Sequence, residues 1–121
     1  MDASVEEALK NDTVIDITTT GRKSGEARRI EIWFHNLDSR YFITGRPGRR
    51  SWYANLLANP DFVFHLKEST QAELSATARA ITSDTERREI LEPLIAGIGD
   101  DSERPLDQWL ERAPLVEVTF N

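Results

Sequence analysis

Apolar positions along this chain follow two rhythms, one of two residues and one near three and a half, and the switches between them mark out the elements. Val14, Ile15, Ile17 and the threonines at 18 to 20 form a β-branched run that predicts a strand over residues 13–20. Gly21 and Gly25 bracket a tight connection after it. From Ala27 to Asn36 the alternation is clean, with Ile30, Ile32 and Phe34 on one face and Arg29, Glu31, Trp33 and His35 on the other. That is the period of a half-buried strand with the first face in the core. Leu37 to Arg40 is a polar turn and Tyr41 to Thr44 a returning strand, so residues 27–45 are expected to form one hairpin.

Two further strands follow the same logic. Phe62, Phe64 and Leu66 alternate with Val63, His65 and Lys67, and a long strand is expected from Gln71 to Ile81. Its inner face, Ala72, Leu74, Ala76, Ala78 and Ala80, is small, as a tightly curved sheet requires. Leu115 to Phe120 alternates as a last strand, which makes six. The expected core includes Ile30, Ile32, Phe34, Phe64, Leu74 and Val118.

The helical rhythm is confined to short stretches. Ser4 and Glu7 have capping-box spacing ahead of Ala8 and Leu9, predicting a short helix over 4–10 that lids the barrel end. Ser51 is placed to cap a helix through Trp52, Leu56 and Leu57, stopped at Asn59-Pro60. Ser83 to Glu86 is a second capping box, opening a helix with Ile90, Leu91, Leu94 and Ile95 inward, Pro93 as a potential kink and Gly97 or Gly99 as its end. Pro105 opens a last helix carrying Leu106, Trp109 and Leu110. Hairpin-linked strands without a βαβ rhythm predict a mainly β fold, a small antiparallel barrel with peripheral helices, in one domain spanning 1–121.

Composition narrows the function. The chain has no cysteine, so thiolate metal sites and thiol nucleophiles are excluded, and with no signal-like or membrane-length apolar run a cytoplasmic protein is expected. The net charge of −6 argues against general attraction to nucleic acid or an anionic membrane. His35 and His65 lack metal-ligand spacing, no metal is expected, and no serine-nucleophile arrangement is visible.

Charge distribution changes the picture. Residues 21–50 hold eight basic side chains against three acidic ones, a balance of +5 inside a chain that is otherwise −11. Most of these cations sit on two turns, Gly21-Arg22-Lys23-Ser24-Gly25 and Gly45-Arg46-Pro47-Gly48-Arg49-Arg50. Like charges crowded onto turns repel unless an anion joins them, and the second turn runs into a helix N-terminus, where partial positive charge collects. Trp33, Trp52 and Tyr53 are candidates to line a flat ligand. A phosphorylated small molecule fits these features. A single-stranded nucleic-acid module with aromatic stacking is the alternative from another class, opposed by the surrounding −11.

Thr-Thr-Thr-Gly-Arg-Lys-Ser-Gly at 18–25, Arg28, and Ser-Trp-Tyr-Ala-Asn-Leu-Leu-Ala-Asn-Pro at 51–60 resemble the deazaflavin-dependent nitroreductases, also called F420H2-dependent quinone reductases. The resemblance covers the central half of the chain and extends more weakly to Trp109 and the last strand. It implies a six-stranded antiparallel split β-barrel of the flavin-reductase and pyridoxamine-phosphate-oxidase type, working as a homodimer. It also implies coenzyme F420, whose tail carries a phosphate and several glutamates, and hydride transfer to a quinone-like or nitroaromatic acceptor. Arg22, Lys23, Ser24 and Arg28 align with the family's tail-binding motif, and Gly45 and Arg46 with the loop approaching the cofactor; Arg49 and Trp52 complete the expected cofactor site. Because the cofactor supplies the chemistry, no catalytic side chain is assigned. Relatives of the same barrel bind flavin mononucleotide, so an FMN-dependent oxidoreductase or a non-catalytic carrier is the alternative. The tyrosines that line the substrate pocket of nitroimidazole-reducing members fall here near Glu103 and Leu106.

Overall fold

A computed structural model describes residues 1–98 and 106–121. Four helices and seven strands follow one another along the described chain: α1 (Ala3–Asn11), β1 (Val14–Thr20), β2 (Ala27–Trp33), β3 (His35–Leu37), β4 (Arg40–Thr44), α2 (Ser51–Ala58), β5 (Asp61–Leu66), β6 (Ala72–Ala80), α3 (Asp84–Ile98), α4 (Leu106–Arg112) and β7 (Leu115–Phe120). One sheet contains all the strands in the order β2-β1-β5-β6-β7-β4-β3, every pairing antiparallel.

The long alternating run at 27–36 does not form one strand of a hairpin. Its first part pairs with β1, from Val14 opposite Trp33 to Thr20 opposite Ala27, while its end becomes β3 and pairs with β4. The hairpin expected over 27–45 therefore shrinks to residues 35–44, turning on Asp38 and Ser39, both at positive φ. Phe34 sits alone at the switch, its N–H donating to Thr13 O at 2.9 Å. This split raises the strand number from the expected six to seven. Since β2 and β3 are the two outermost strands yet lie one residue apart, the sheet has to curl until its ends approach.

Inside the curl lies the main core. Phe34 meets Phe64 edge-on at 5.2 Å, Phe64 meets Phe120 at 5.0 Å, and Phe120 tilts against Tyr41 at 5.4 Å, a chain of rings crossing from the β2–β3 switch to β4. Ile15, Ile17, Ile43 and Val118 fill the space around them, and Ala76 and Ala78 give β6 the small inner face that curvature demands. Ile32 and Leu74 contribute as half-buried neighbours. Ile30 does not: although it lies opposite buried Ile17, it is 37% exposed, because β2 is an edge strand. α1 is more than a lid, since Val5, Ala8 and Leu9 are buried in this same core.

A second core lies outside the sheet, where Phe42, Ile81 and Leu115 meet Ile90, Leu91 and Leu94 of α3 and Trp109 of α4. Buried Arg87 is clasped within it by backbone carbonyls. Across β4, β7, β6 and α3, Glu117 accepts from Arg40 at 2.9 and 3.0 Å and from Arg79 at 2.8 Å, while Arg79 reaches Glu86 at 2.7 Å.

Helix ends differ from the sequence expectation in instructive ways. Asp2, not Ser4, caps α1 by accepting the Ser4 N–H at 2.7 Å, since a carboxylate two residues earlier reaches the first free amide. Arg50 rather than Ser51 occupies the cap of α2, without a side-chain bond. Ser83 does cap α3, accepting from Glu86 N at 3.4 Å, but the Glu86 carboxylate turns to Arg79 instead of back to the cap. Pro93 and Gly97 lie inside α3, whereas Gly99, Glu103 and Pro105 fall outside the described residues.

The Glu117 network generates a pH signature. Hydrogen bonds from Arg40, then Arg79, hold the Glu117 carboxyl down at about 2 against the opposing effect of burial. With the folded value below the unfolded one, the folded state binds fewer protons, so this stabilisation is present above about pH 4.5 and is lost as pH falls towards 2. Because both arginines are about half exposed, screening reduces its size. Glu117→Gln is expected to cost about 1–2 kcal/mol at pH 7. Urea unfolding of the variant and the parent at stepwise lower pH checks this, the gap narrowing steadily below pH 4.5.

Candidate functional site

Six residues link β1 to β2, and their geometry follows from the two glycines. Gly25 takes φ +70°, a left-handed conformation that costs a glycine little, and its N–H donates to Gly21 O at 2.9 Å. Gly21 N–H reaches Glu26 O at 2.8 Å, and the Ser24 hydroxyl oxygen accepts from Glu26 N at 3.1 Å. The turn is thus closed by its own backbone, leaving Arg22, Lys23 and Ser24 exposed at its tip.

Asn55, buried in α2, ties this turn to the body of the protein. Its Oδ1 accepts the Arg22 backbone N–H at 3.0 Å and its Nδ2 donates to Thr19 Oγ1 at 3.1 Å. One side chain fixes both the end of β1 and the start of the turn. The opposite wall is the 45–50 loop, held by Arg50, whose guanidinium donates to Arg49 O at 2.8 Å and Arg46 O at 3.0 Å. Gly48, at φ +133°, lies where a Cβ would come 3.1 Å from Arg50 Nη1, so only glycine lets the loop fold over that guanidinium without strain.

Between turn and loop opens a cleft of about 720 Å3. Of the residues expected to bind a cofactor, Arg22, Lys23, Ser24, Arg28, Arg49 and Trp52 line it. Gly45 and Arg46 do not: Gly45 backs onto Pro114, and Arg46 lies exposed on the far part of the loop. Trp52 is only 7% exposed and packs edge-on against Tyr53 at 5.9 Å, so it forms the floor and belongs equally to the core. Trp33, 55% exposed, stays outside the cleft. Ile30 and Leu57 give the rim an apolar side, and Asn55, Tyr53, Arg50 and Thr19 join the lining.

Electrostatically the cleft is one-sided. Arg28 pairs with Glu26 at 3.3 Å, both well exposed, a contact of small worth. Among the described residues, Arg22, Lys23, Arg49 and Arg50 make no ion pair. The uncapped N-terminus of α2 at Ser51 to Tyr53 opens on the same space and adds its partial positive charge. Converging cations, free helix amides and an apolar rim suit a ligand with an anionic tail and a flat apolar body.

The two histidines lie elsewhere. His65 bridges Thr18 Oγ1 at 2.7 Å and Glu73 at 3.1 Å, with burial, then Arg29, pushing its pKa down; burial alone pushes His35 down.

The family described as F420H(2)-dependent quinone reductase matches residues 1–100. Among solved structures, an F420 reductase superposes over 100% of this chain and 95% of its own, with TM-score 0.71 at 17% identity. A FAD-binding protein from Mesorhizobium loti covers 100% and 91%, with TM-score 0.65 at 11% identity. A domain-swapped dimer matches over 89% and 81%, with TM-score 0.63 at 22% identity. At these identities the likeness is one of fold, the flavin-reductase type of split barrel.

Asn55 carries the first testable consequence of this geometry. Asn55→Ala is expected to lower stability by about 1–3 kcal/mol, because the Arg22 amide and the Thr19 hydroxyl lose their shared partner. Denaturant unfolding measures the loss, and hydrogen exchange at the Arg22 amide should quicken while amides inside β5 keep their protection.

Proposed function

Because the chain belongs to the F420H(2)-dependent quinone reductase family, an oxidoreductase family, we propose that its cleft binds reduced coenzyme F420 and that the protein reduces a quinone-like or nitroaromatic acceptor. The observation that carries this reading is the convergence of unpaired cations on a cleft with an apolar rim. Arg22, Lys23, Ser24, Arg28 and Arg49 hold the anionic tail, with Arg46 and Gly45 shaping the loop behind them, and Trp52, Ile30 and Leu57 bound the flat ring. Bound there, the cofactor supplies hydride, and the protein's own part is to bind, orient and exclude water. A tail with several negative charges uses every cation in the cleft, whereas flavin mononucleotide, with one phosphate, leaves most of them unneutralised.

We further place a homodimer contact at the cleft rim that β2 and α2 provide. Ile30 and Leu57, 37% and 57% exposed, form an apolar surface on the rim of the cleft. A second copy covering it would close the rim over the bound ring.

Two measurements test these readings. Fluorescence titration with F420 and with flavin mononucleotide, each at low and high salt, should give saturable F420 binding that weakens with salt, and Lys23→Glu or Arg28→Glu should weaken it about tenfold or more. Binding of flavin mononucleotide alone would reassign the cofactor, and catalytic transfer separates an enzyme from a carrier. Light scattering should return the dimer mass, with Leu57→Glu shifting it towards the monomer; a monomeric parent protein counts against the contact.

A further inference from the structure

A second cleft, of about 640 Å3, shares Arg49 and Tyr53 with the first. Gly48 of the 45–50 loop, Ile81 and Thr82 just beyond β6, Arg87 of α3, and the chain from Glu111 to Pro114 complete its walls. Nothing in the cofactor reading uses this space. Hydride donor and acceptor have to approach to about 3–3.5 Å, so an acceptor site has to adjoin the cofactor's. This cleft does, through Tyr53, which packs against Trp52 at 5.9 Å where the ring is placed, and through Arg49, whereas the smaller cleft around His65 and Glu73 shares no residue with the first.

Arg87 gives the second cleft its chemistry. It is 7% exposed, and its guanidinium donates only to backbone carbonyls: Nε to Leu110 O at 2.7 Å, Nη1 to Ile81 O at 2.9 Å, and Nη2 to Trp109 O at 3.1 Å and Ala113 O at 2.6 Å. Those bonds pin the end of α4 to the sheet. Carbonyl dipoles satisfy hydrogen bonds without cancelling the charge, and a guanidinium has five N–H groups, so one on Nη1 is left over. Among the described residues Arg87 makes no ion pair, and burial works against its charged form, opposed in part by Tyr53 and then Asp84. Arg49 and Arg112 add two more cations to the lining against the single carboxylate of Glu111. A neutral occupant would leave this buried charge short of a counter-ion, whereas an anionic one supplies it.

We infer that the second cleft is the acceptor site and that it selects flat acceptors bearing an anionic oxygen, a carboxylate or an ionised hydroxyl, seated against Arg87 and Arg112. The word acceptor rests on the reductase reading above; the selectivity for an anion rests on the cleft alone.

Isothermal titration with 2-hydroxy-1,4-naphthoquinone, ionised at neutral pH, and with neutral 1,4-naphthoquinone tests it, each run without and with saturating oxidised F420. The anion should bind about tenfold tighter or more, and saturating F420 should not displace it. Arg112→Gln and Arg87→Lys should each weaken the anion about tenfold and the neutral quinone by less than about twofold. Arg112 is exposed and outside the clasp, so its variant keeps the test valid if Arg87→Lys fails to fold. Equal affinities, indifference of the anion to Arg112→Gln, or displacement by F420 overturns the inference. Turnover of the two quinones with reduced F420 is read separately: no turnover of either with selective binding intact defeats the reductase reading alone, and turnover without selective binding defeats this inference alone.

Discussion

The covalent bond pattern at Phe34 governs this molecule. Two strands at opposite ends of a seven-strand sheet are separated by one residue, so the sheet has no flat solution. Curling places Phe34 and Phe64 edge-on within the curl and creates a closed interior for the apolar residues of β1, β5, β6 and β7. It also explains why β4 is apolar on both faces: Ile43 points into the curl and Phe42 into the separate core beneath α3 and α4. The site inherits this frame. β1 and α2 are packed against the closed interior, so the basic turn after β1 and the amides at the start of α2 line the same cleft.

That cleft is electrostatically unfinished. In the Glu117 network and at Lys67, which pairs with Asp16 at 2.7 Å, cations and carboxylates are matched across neighbouring strands. At the cleft several guanidinium groups and an ammonium converge without such matching. Placing like charges together lowers the stability of the empty protein and raises the affinity for an anion that neutralises them. Stability has been arranged around the site, in the buried Asn55 tether and in the arginine that folds the 45–50 loop upon its own carbonyls.

Much of this was legible in the sequence, for identifiable reasons. β1, β5, β6 and β7 announced themselves because each has one face in the core, which enforces alternation. The cations of the cleft were legible because charge concentrated between glycines has few structural uses. The β2–β3 switch was hidden because alternation continues through Phe34; only tertiary pairing reveals that Ile30 and Phe34, on one face of an ideal strand, end in different surroundings. Asn55 acts through contacts 33 and 36 residues distant and Arg87 mainly through contacts 22–26 residues distant, beyond any local pattern, though a buried asparagine beside Leu56 in an otherwise apolar helix is a signal that could be sought.

The position of β7 also bears on how such a chain is made. The last strand in sequence order lies between β6 and β4, joining the β2-β1-β5-β6 group to the β4-β3 pair. Until it emerges during synthesis, a four-stranded fragment and a lone hairpin wait with open edges, each offering unpaired amides and carbonyls to any other nascent chain. The barrel therefore closes in a late, non-local step, and what is vulnerable in the half-made protein is not the finished site but the two edges that only residues 115–120 can cover.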